Sequence, residues 1–228
     1  MGHEHSSVKI QRALQLHECG QLDEARLIYQ EIIKENQIQP AVLNLYGTLL
    51  HQQGFHAAAF HLLKKAIVLN SDNEVYYNRL GAALNGMEDN IKAIVAYSRS
   101  TFIKNDLFES QLNLGSALLK IGRIIEAYIP AKRAVHLNTD SWIARLRLGS
   151  IYQSMEKYEK AIEEFNLASE KYPFALEPYF HLCQIYNKIQ NSKEGLKAAK
   201  KGLILAPERF EFYPQLHGCL LYTSPSPR

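Results

Sequence analysis

The chain has 228 residues, 46% hydrophobic and 21% charged, with twelve Gly and eight Pro, a composition that suits a folded globular protein and speaks against intrinsic disorder. Its formal net charge of +3 comes from 26 basic and 23 acidic residues, with no like-charge block longer than pairs such as Lys64-Lys65 and Lys200-Lys201, so the basic stripe that nucleic-acid binding requires is missing. No apolar run approaches the roughly 18 residues of a membrane span, and Cys19, Cys183 and Cys219 are too few and too far apart for a disulfide framework or a zinc site, which favours a reducing, cytoplasmic setting.

The opening MGHEHS fits the N-myristoylation pattern through Gly2 and Ser6, and His3 and His5 near a free amine could hold a soft divalent metal. Both patterns are short, and a disordered, solvated end over residues 1–5 is the simpler expectation. No hydrophobic stretch there could serve as a signal peptide.

From residue 6 onward the sequence repeats. Gly47, Gly81, Gly115 and Gly149 stand 34 residues apart, and Ala25, Ala59, Ala93, Ala127 and Ala161 form a second register twelve residues after the glycine column, continued by Gly195. Self-similarity at one period marks a repeat architecture. In the first segment of each unit, apolar residues fall four before, one before and three after the glycine, as in Leu43, Tyr46 and Leu50, Tyr77, Leu80 and Leu84, Leu148 and Tyr152, or Tyr179, Leu182 and Tyr186. Those spacings make one face of a helix. The second segment places a bulky residue sixteen after the glycine and a small one nineteen after it: Leu63 and Ala66, Tyr97 and Ser100, Phe165 and Ala168. It reads as a second amphipathic helix.

Gly20, Gly54 and Gly122 mark a turn between the two helices, and Pro173, Pro207 or polar runs such as NSDN mark a turn between units. Each unit is therefore expected to be a helical hairpin whose small residues allow the two backbones to cross closely. Six units result, 6–39, 40–73, 74–107, 108–141, 142–175 and 176–209. Ala13 and Cys183 replace glycine in the first and sixth, Pro130 is expected to kink the second helix of the fourth, and Leu43, Gln111 and Arg145 stand where an aromatic is expected four before the glycine column. A truncated seventh unit begins at 210–218 with Phe210, Tyr213 and Leu216 in register, and 219–228 reads as a non-native or disordered tail. A repeat array left without a polar capping helix promotes self-association through that end.

The unit from Trp142 to Ala175, with Leu148, Gly149, Tyr152, Ala161, Phe165, Ala168 and Pro173, resembles the tetratricopeptide repeat family. The resemblance implies an all-α fold, a right-handed α-solenoid of antiparallel helix pairs. It also implies a scaffold that holds an extended peptide or a partner helix in a concave groove lined by the first helices. The groove positions, three before, one after and four after the glycine column, carry Asn44, Thr48 and His51, Asn78 and Asn85, Ser116, Ser150 and Gln153, and Gln184 and Asn187. Arg79, Asn113, Arg147 and His181 lie beside them, two before that column. Carboxamides both donate and accept, so they can grip a peptide backbone whatever its side chains, and Arg79 and Arg147 would favour acidic segments. The lysines of the family's chaperone-tail clamp are absent, which disfavours that subclass.

No Gly-rich phosphate loop, HExxH pair, Cys-x-x-Cys or nucleophile elbow occurs, so no catalytic role, cofactor or metal is expected within the chain. His51, His56 and His61 read as separate surface histidines, since a spacing of five does not share a helix face, and Glu163-Glu164 reads as the solvated side of a helix. The expected partner is a protein or peptide, with neither nucleic acid nor membrane. The opening RALQLHECGQLDEARLIYQEII with LNLYGTLLHQQG is also similar to the repeat arms of O-linked N-acetylglucosamine transferases. That likeness implies the alternative of a recognition arm cut from a longer enzyme near residue 218.

Overall fold

The computed structural model describes residues 2–35 and 39–206, with side chains from Ser7 onward. The expectations placed on Pro207, on the seventh unit and on the tail lie outside the described residues, as do those on the side chains of Gly2 to Ser6. Twelve α-helices and no strand occupy the described residues, so the fold is the all-α helical-repeat solenoid. In order they are α1 (Gly2–Glu18), α2 (Leu22–Lys34), α3 (Pro40–Gln52), α4 (His56–Leu69), α5 (Glu74–Gly86), α6 (Asn90–Ile103), α7 (Phe108–Lys120), α8 (Ile124–Leu137), α9 (Trp142–Ser154), α10 (Tyr158–Lys171), α11 (Glu177–Lys188) and α12 (Ser192–Leu205). α1 starts at Gly2, inside the segment expected to be disordered. Nothing between His3 and Cys19 breaks a helix, because neither proline nor glycine occurs there.

The chain divides between Ala117 and Leu118, within α7, into two compact units. In the first, α1 packs on α2, α3 on α4 and α5 on α6, while α2/α3, α4/α5 and α3/α5 join successive pairs. Its core gathers Ala13, Ala25, Tyr29, Val42, Leu49, Ala59 and Leu63, all fully buried. The second unit repeats the scheme with α9 on α10, α11 on α12, and α8/α9, α10/α11 and α9/α11 between pairs. Successive first helices thus lie side by side within each unit, and this adjacency positions the candidate site.

The glycine register has a direct cause. A Cβ built on Gly47 would sit 2.8 Å from Leu63, on Gly81 2.6 Å from the Tyr97 ring, and on Gly149 2.7 Å from the Phe165 ring. In each case the residue met is the one sixteen positions further on, across the hairpin. Burying such a side chain stabilises by about 1.5–3 kcal/mol, which exceeds the roughly 1 kcal/mol that glycine costs inside a helix. The packing term decides the residue. Where Cys183 takes the glycine position, the residue sixteen on is Ala199, and both are fully buried.

Six turns close the hairpins in one way. Gly20, Gly54, Glu88, Gly122, Glu156 and Gln190 follow one another at steps of 34, and all have φ between 58° and 84°. Each donates its N–H to the carbonyl three residues back, and the next residue donates to the carbonyl five back, as in Gly54 to His51 with Phe55 to Leu50, and Glu156 to Gln153 with Lys157 to Tyr152. This is the Schellman end of a helix, whose left-handed residue is normally glycine. Three of the six are glycine, and the other three adopt the same conformation against their own preference.

The departures from the repeat pattern are compensated locally. Buried Gln111 donates from Nε2 to the Asn105 carbonyl at 2.8 Å and to Asn105 Oδ1 at 2.7 Å. Arg145 donates to the Thr139 carbonyl at 3.0 Å and to Glu164 at 3.1 Å. Glu164 is therefore not part of a solvated face: the pair is mostly buried, with side chains 13% and 15% exposed, because Arg145 fills the place of an apolar aromatic and carries its charge inward. Pro130 is buried within α8, which continues past it to Leu137.

Two expectations follow. Gly149→Leu drives a branched side chain into Phe165 and should lower stability by about 1–3 kcal/mol. The thermal midpoint should fall by roughly 2–4 °C for each kcal/mol, and an unchanged midpoint would show that the helices do not cross at this residue. Conversely, Glu156→Gly removes a left-handed strain of about 1–2 kcal/mol while adding some unfolded-state entropy. A gain of up to about 1 kcal/mol in urea unfolding should result, and a loss would contradict the turn geometry.

Candidate functional site

The fourteen residues expected to face the groove lie on α3, α5 and α7 in the first unit and on α9 and α11 in the second. In the first unit one side-chain bond joins two of them across neighbouring first helices. Asn113 donates from Nδ2 to Asn78 Oδ1 at 3.0 Å. Asn78 is only 5% exposed, so the position three before the glycine column lies between helices rather than on an open stripe. Asn44, one repeat earlier, is half-buried, and its Oδ1 is buried with no hydrogen-bond partner among the described residues. Thr48 turns its hydroxyl back to the Asn44 carbonyl at 2.9 Å. Asn85 and Ser116 are half-buried, and Arg79 is exposed.

His51 and His56 are not separate. Their Nδ1 atoms approach to 3.1 Å, with ring centroids 4.9 Å apart. The Schellman turn at Gly54 reverses the chain between them, so a spacing that keeps two residues apart on one helix brings them together across a hairpin. His61 is exposed. Among the described residues no group of three or more His, Cys, Asp or Glu is placed to hold a metal.

In the second unit a relay of side chains links α9 to α11. His181 Nδ1 lies 2.9 Å from Gln153 Oε1, and Gln153 Nε2 donates to Gln184 Oε1 at 3.0 Å. An amide oxygen only accepts, so this bond places a proton on Nδ1. The imidazole lies flat on the Phe165 ring, 4.8 Å between centroids and 7° between planes. Phe165 thus serves both the crossing at Gly149 and the floor under His181, a second role that the repeat pattern alone does not reveal. Arg147 stands half-buried on α9, and its Nε is buried without a hydrogen-bond partner among the described residues. Ser150 bonds back to the Leu146 carbonyl at 2.9 Å, and Asn187 is half-buried.

Both groove histidines are held below the usual imidazole value of 6.5. Burial is the main cause for His51, reinforced by His56 and Arg79. For His181 burial again leads, reinforced by Arg147 and opposed by Gln184 and Glu177. The first-helix face of each unit is therefore polar and carries an arginine, with an imidazole whose charged form burial disfavours. It offers donors and acceptors to a chain laid across it.

Comparison with known proteins finds likenesses to this geometry. Residues 144–170 match the family model described as tetratricopeptide repeat, the same unit in which Gly149 meets Phe165 and Gln153 starts the relay. Anaphase-promoting complex subunit 3 of Schizosaccharomyces pombe is 22% identical over 136 residues, which is 60% of this chain and 20% of the relative. The chain thus matches only a fifth of that curated relative's length. Two crystal structures share the fold: YrrB, described as a TPR protein with an unusual peptide-binding site, and MamA. YrrB has a TM-score of 0.70 at 19% identity, covering 85% of this chain and 96% of its own. MamA has a TM-score of 0.67 at 24% identity, covering 72% and 96%. Among the described residues no helix is long and apolar enough to cross a membrane.

A pH dependence follows from the two imidazoles. A depressed value in the folded state means that the unfolded chain binds protons more readily, so the stabilisation is complete above 6.5 and is lost as pH falls through the folded values. Urea midpoints should drop between about pH 7.5 and 5.5, above the carboxylate range. The variant His51→Gln/His181→Gln should show a shallower drop. An equal slope in both proteins would mean that these histidines are not buried as described.

Proposed function

We propose that the chain is a protein-interaction module that binds an extended peptide or partner segment on the surface formed by successive first helices. The observation that carries this reading is the side-chain network between first helices, Asn113 to Asn78 in one unit and His181 to Gln153 to Gln184 in the other. Within each unit it holds carboxamides at fixed positions on the first helices, ready to pair with backbone N–H and C=O groups. The family match supports the reading, as does the likeness to YrrB, whose structure is described as having a peptide-binding site. Anaphase-promoting complex subunit 3 is by its name part of an assembly, which accords with a role in holding proteins together. The relatives reported above lend no support to the alternative of a transferase arm.

The geometry revises which residues matter most. Asn78 is buried and engaged, so it acts by holding Asn113, while Asn44, Asn113, Gln153 and Gln184 present the carboxamides. Extended peptides selected from a random display library should lose about thirtyfold in affinity when Gln153→Ala and Gln184→Ala are combined, at roughly 1 kcal/mol for each neutral hydrogen bond lost. Val95→Ala on the second helix α6, where Val95 is 65% exposed, should leave the affinity unchanged. Weakening by Val95→Ala, with none from the glutamine pair in a folded protein, would move the binding surface to the second helices.

A further inference from the structure

Two departures from the repeat columns meet in space within the first unit. His56 opens α4 in a column with no other histidine, where Leu22, Asn90, Ile124, Tyr158 and Ser192 stand, and Gly86 closes α5 in a column with no other glycine. The helix-crossing register needs neither. A Cβ built on Gly86 would stand 2.6–2.7 Å from three atoms of the His56 ring, so the bare backbone at the end of α5 gives that imidazole its place. The ring is thereby held against His51 at the end of α3, with the two Nδ1 atoms 3.1 Å apart and both residues half-buried. Three helices thus fix one pair of imidazole nitrogens at contact distance.

As neutral rings the two share one proton, donated from one Nδ1 to the other. The same spacing suits a metal ion. With nitrogen-to-metal bonds of roughly 2.0–2.1 Å, nitrogens 3.1 Å apart subtend about 95–102° at the ion, between the right angle of square or octahedral coordination and the tetrahedral angle. The ring planes lie 49° apart, and a small turn of the rings lets both lone pairs converge on one ion. Imidazole suits Cu²⁺, Zn²⁺ and Ni²⁺, whereas the hard ions Mg²⁺ and Ca²⁺ take oxygen. We propose that His51 and His56 form a two-histidine chelate for a divalent transition-metal ion, Cu²⁺ in preference to Zn²⁺, with water completing the coordination. On binding, the ring that donates through Nδ1 gives that proton to solvent and takes one up at Nε2, so both rings reach the ion neutral and no net proton is released. The exposed Arg79 sets a positive charge near His51, and with two protein ligands the site is weaker than a closed four-ligand one. The pair holds the ion whether or not a peptide lies on the first helices.

The test is a calorimetric titration of metal into the whole chain carrying His3→Gln and His5→Gln, which removes the competing imidazoles near the N-terminus. Cu²⁺ should bind with one equivalent and more tightly than Zn²⁺, and excess Mg²⁺ should not displace it. Adding His51→Gln or His56→Gln should weaken Cu²⁺ binding by about tenfold or more, while His61→Gln should leave it unchanged. Gly86→Ala should also weaken it, although both histidines remain, because the new methyl takes the space of the His56 ring. Circular dichroism is the folding control. A second readout needs no further variant: Zn²⁺ should shift the ring-nitrogen resonances of two imidazoles together. Cu²⁺ binding that is absent, or that survives the loss of either histidine undiminished, overturns the inference, as does Zn²⁺ that shifts no pair of rings. Undiminished binding in Gly86→Ala overturns the part given to that glycine.

Discussion

Three hairpins depend on one contact, between a stretch of helix backbone without a side chain and the bulky residue sixteen positions further on. At Gly81 and Gly149 even a methyl group would stand 2.6–2.7 Å from a ring carbon of Tyr97 or Phe165, inside any tolerable separation, so the two helices have the spacing they have because nothing projects between them. The pairing is local in sequence and recurs at the same spacing in these three units, with smaller residues such as Cys183 and Ala199 filling the same places elsewhere, and the hairpins stack on their neighbours. The second requirement is a reversal of the chain within three residues. The left-handed turn supplies it at the same step of 34, with glycine at three positions and Glu88, Glu156 and Gln190 at the others. That a glutamate is tolerated there indicates that the stacking outweighs a local strain of about 1–2 kcal/mol.

Much of this was legible in the sequence because it rests on steric exclusion, which leaves a periodic mark. The glycine and alanine registers mark where helices cross, and the amphipathic spacings mark which sides face inward. Less legible was anything that depends on two segments meeting across a turn. His51 and His56 looked separate by helical spacing and lie 3.1 Å apart because Gly54 folds one helix end over the next helix start. Glu164 looked solvated because its own helix exposes that side of Glu163, and only the longer reach of Arg145 from α9 draws it inward. The three turns without glycine carry no residue signal at all, and only the register could have pointed to them.

The candidate site was legible to a similar depth. The columns of the repeat identify which residues belong to the first-helix face, and Gln153, His181 and Gln184 do meet there. The columns do not say which side chains are engaged with each other. Asn78 has the composition of a ligand-gripping residue and the burial of a structural one, a distinction set by how closely α5 and α7 approach. Arg147 and Arg145 are two residues apart on one helix, yet one is engaged in the hairpin and the other is left with an unmatched donor. Function in such a fold resides in the polar groups that packing has positioned and not consumed.

If backbone-to-ring contact sets the architecture, a double-mutant cycle on Gly81 and Tyr97 reads it out. In the unaltered chain Gly81→Ala should destabilise or give no gain, although alanine is worth about 1 kcal/mol more than glycine in a helix. In a Tyr97→Ala background, where the ring is gone, the same change should recover that gain, so the two substitutions should couple by about 1 kcal/mol or more in urea unfolding. Strict additivity, with Gly81→Ala having the same effect in both backgrounds, would contradict the claim that the glycine exists to receive the ring.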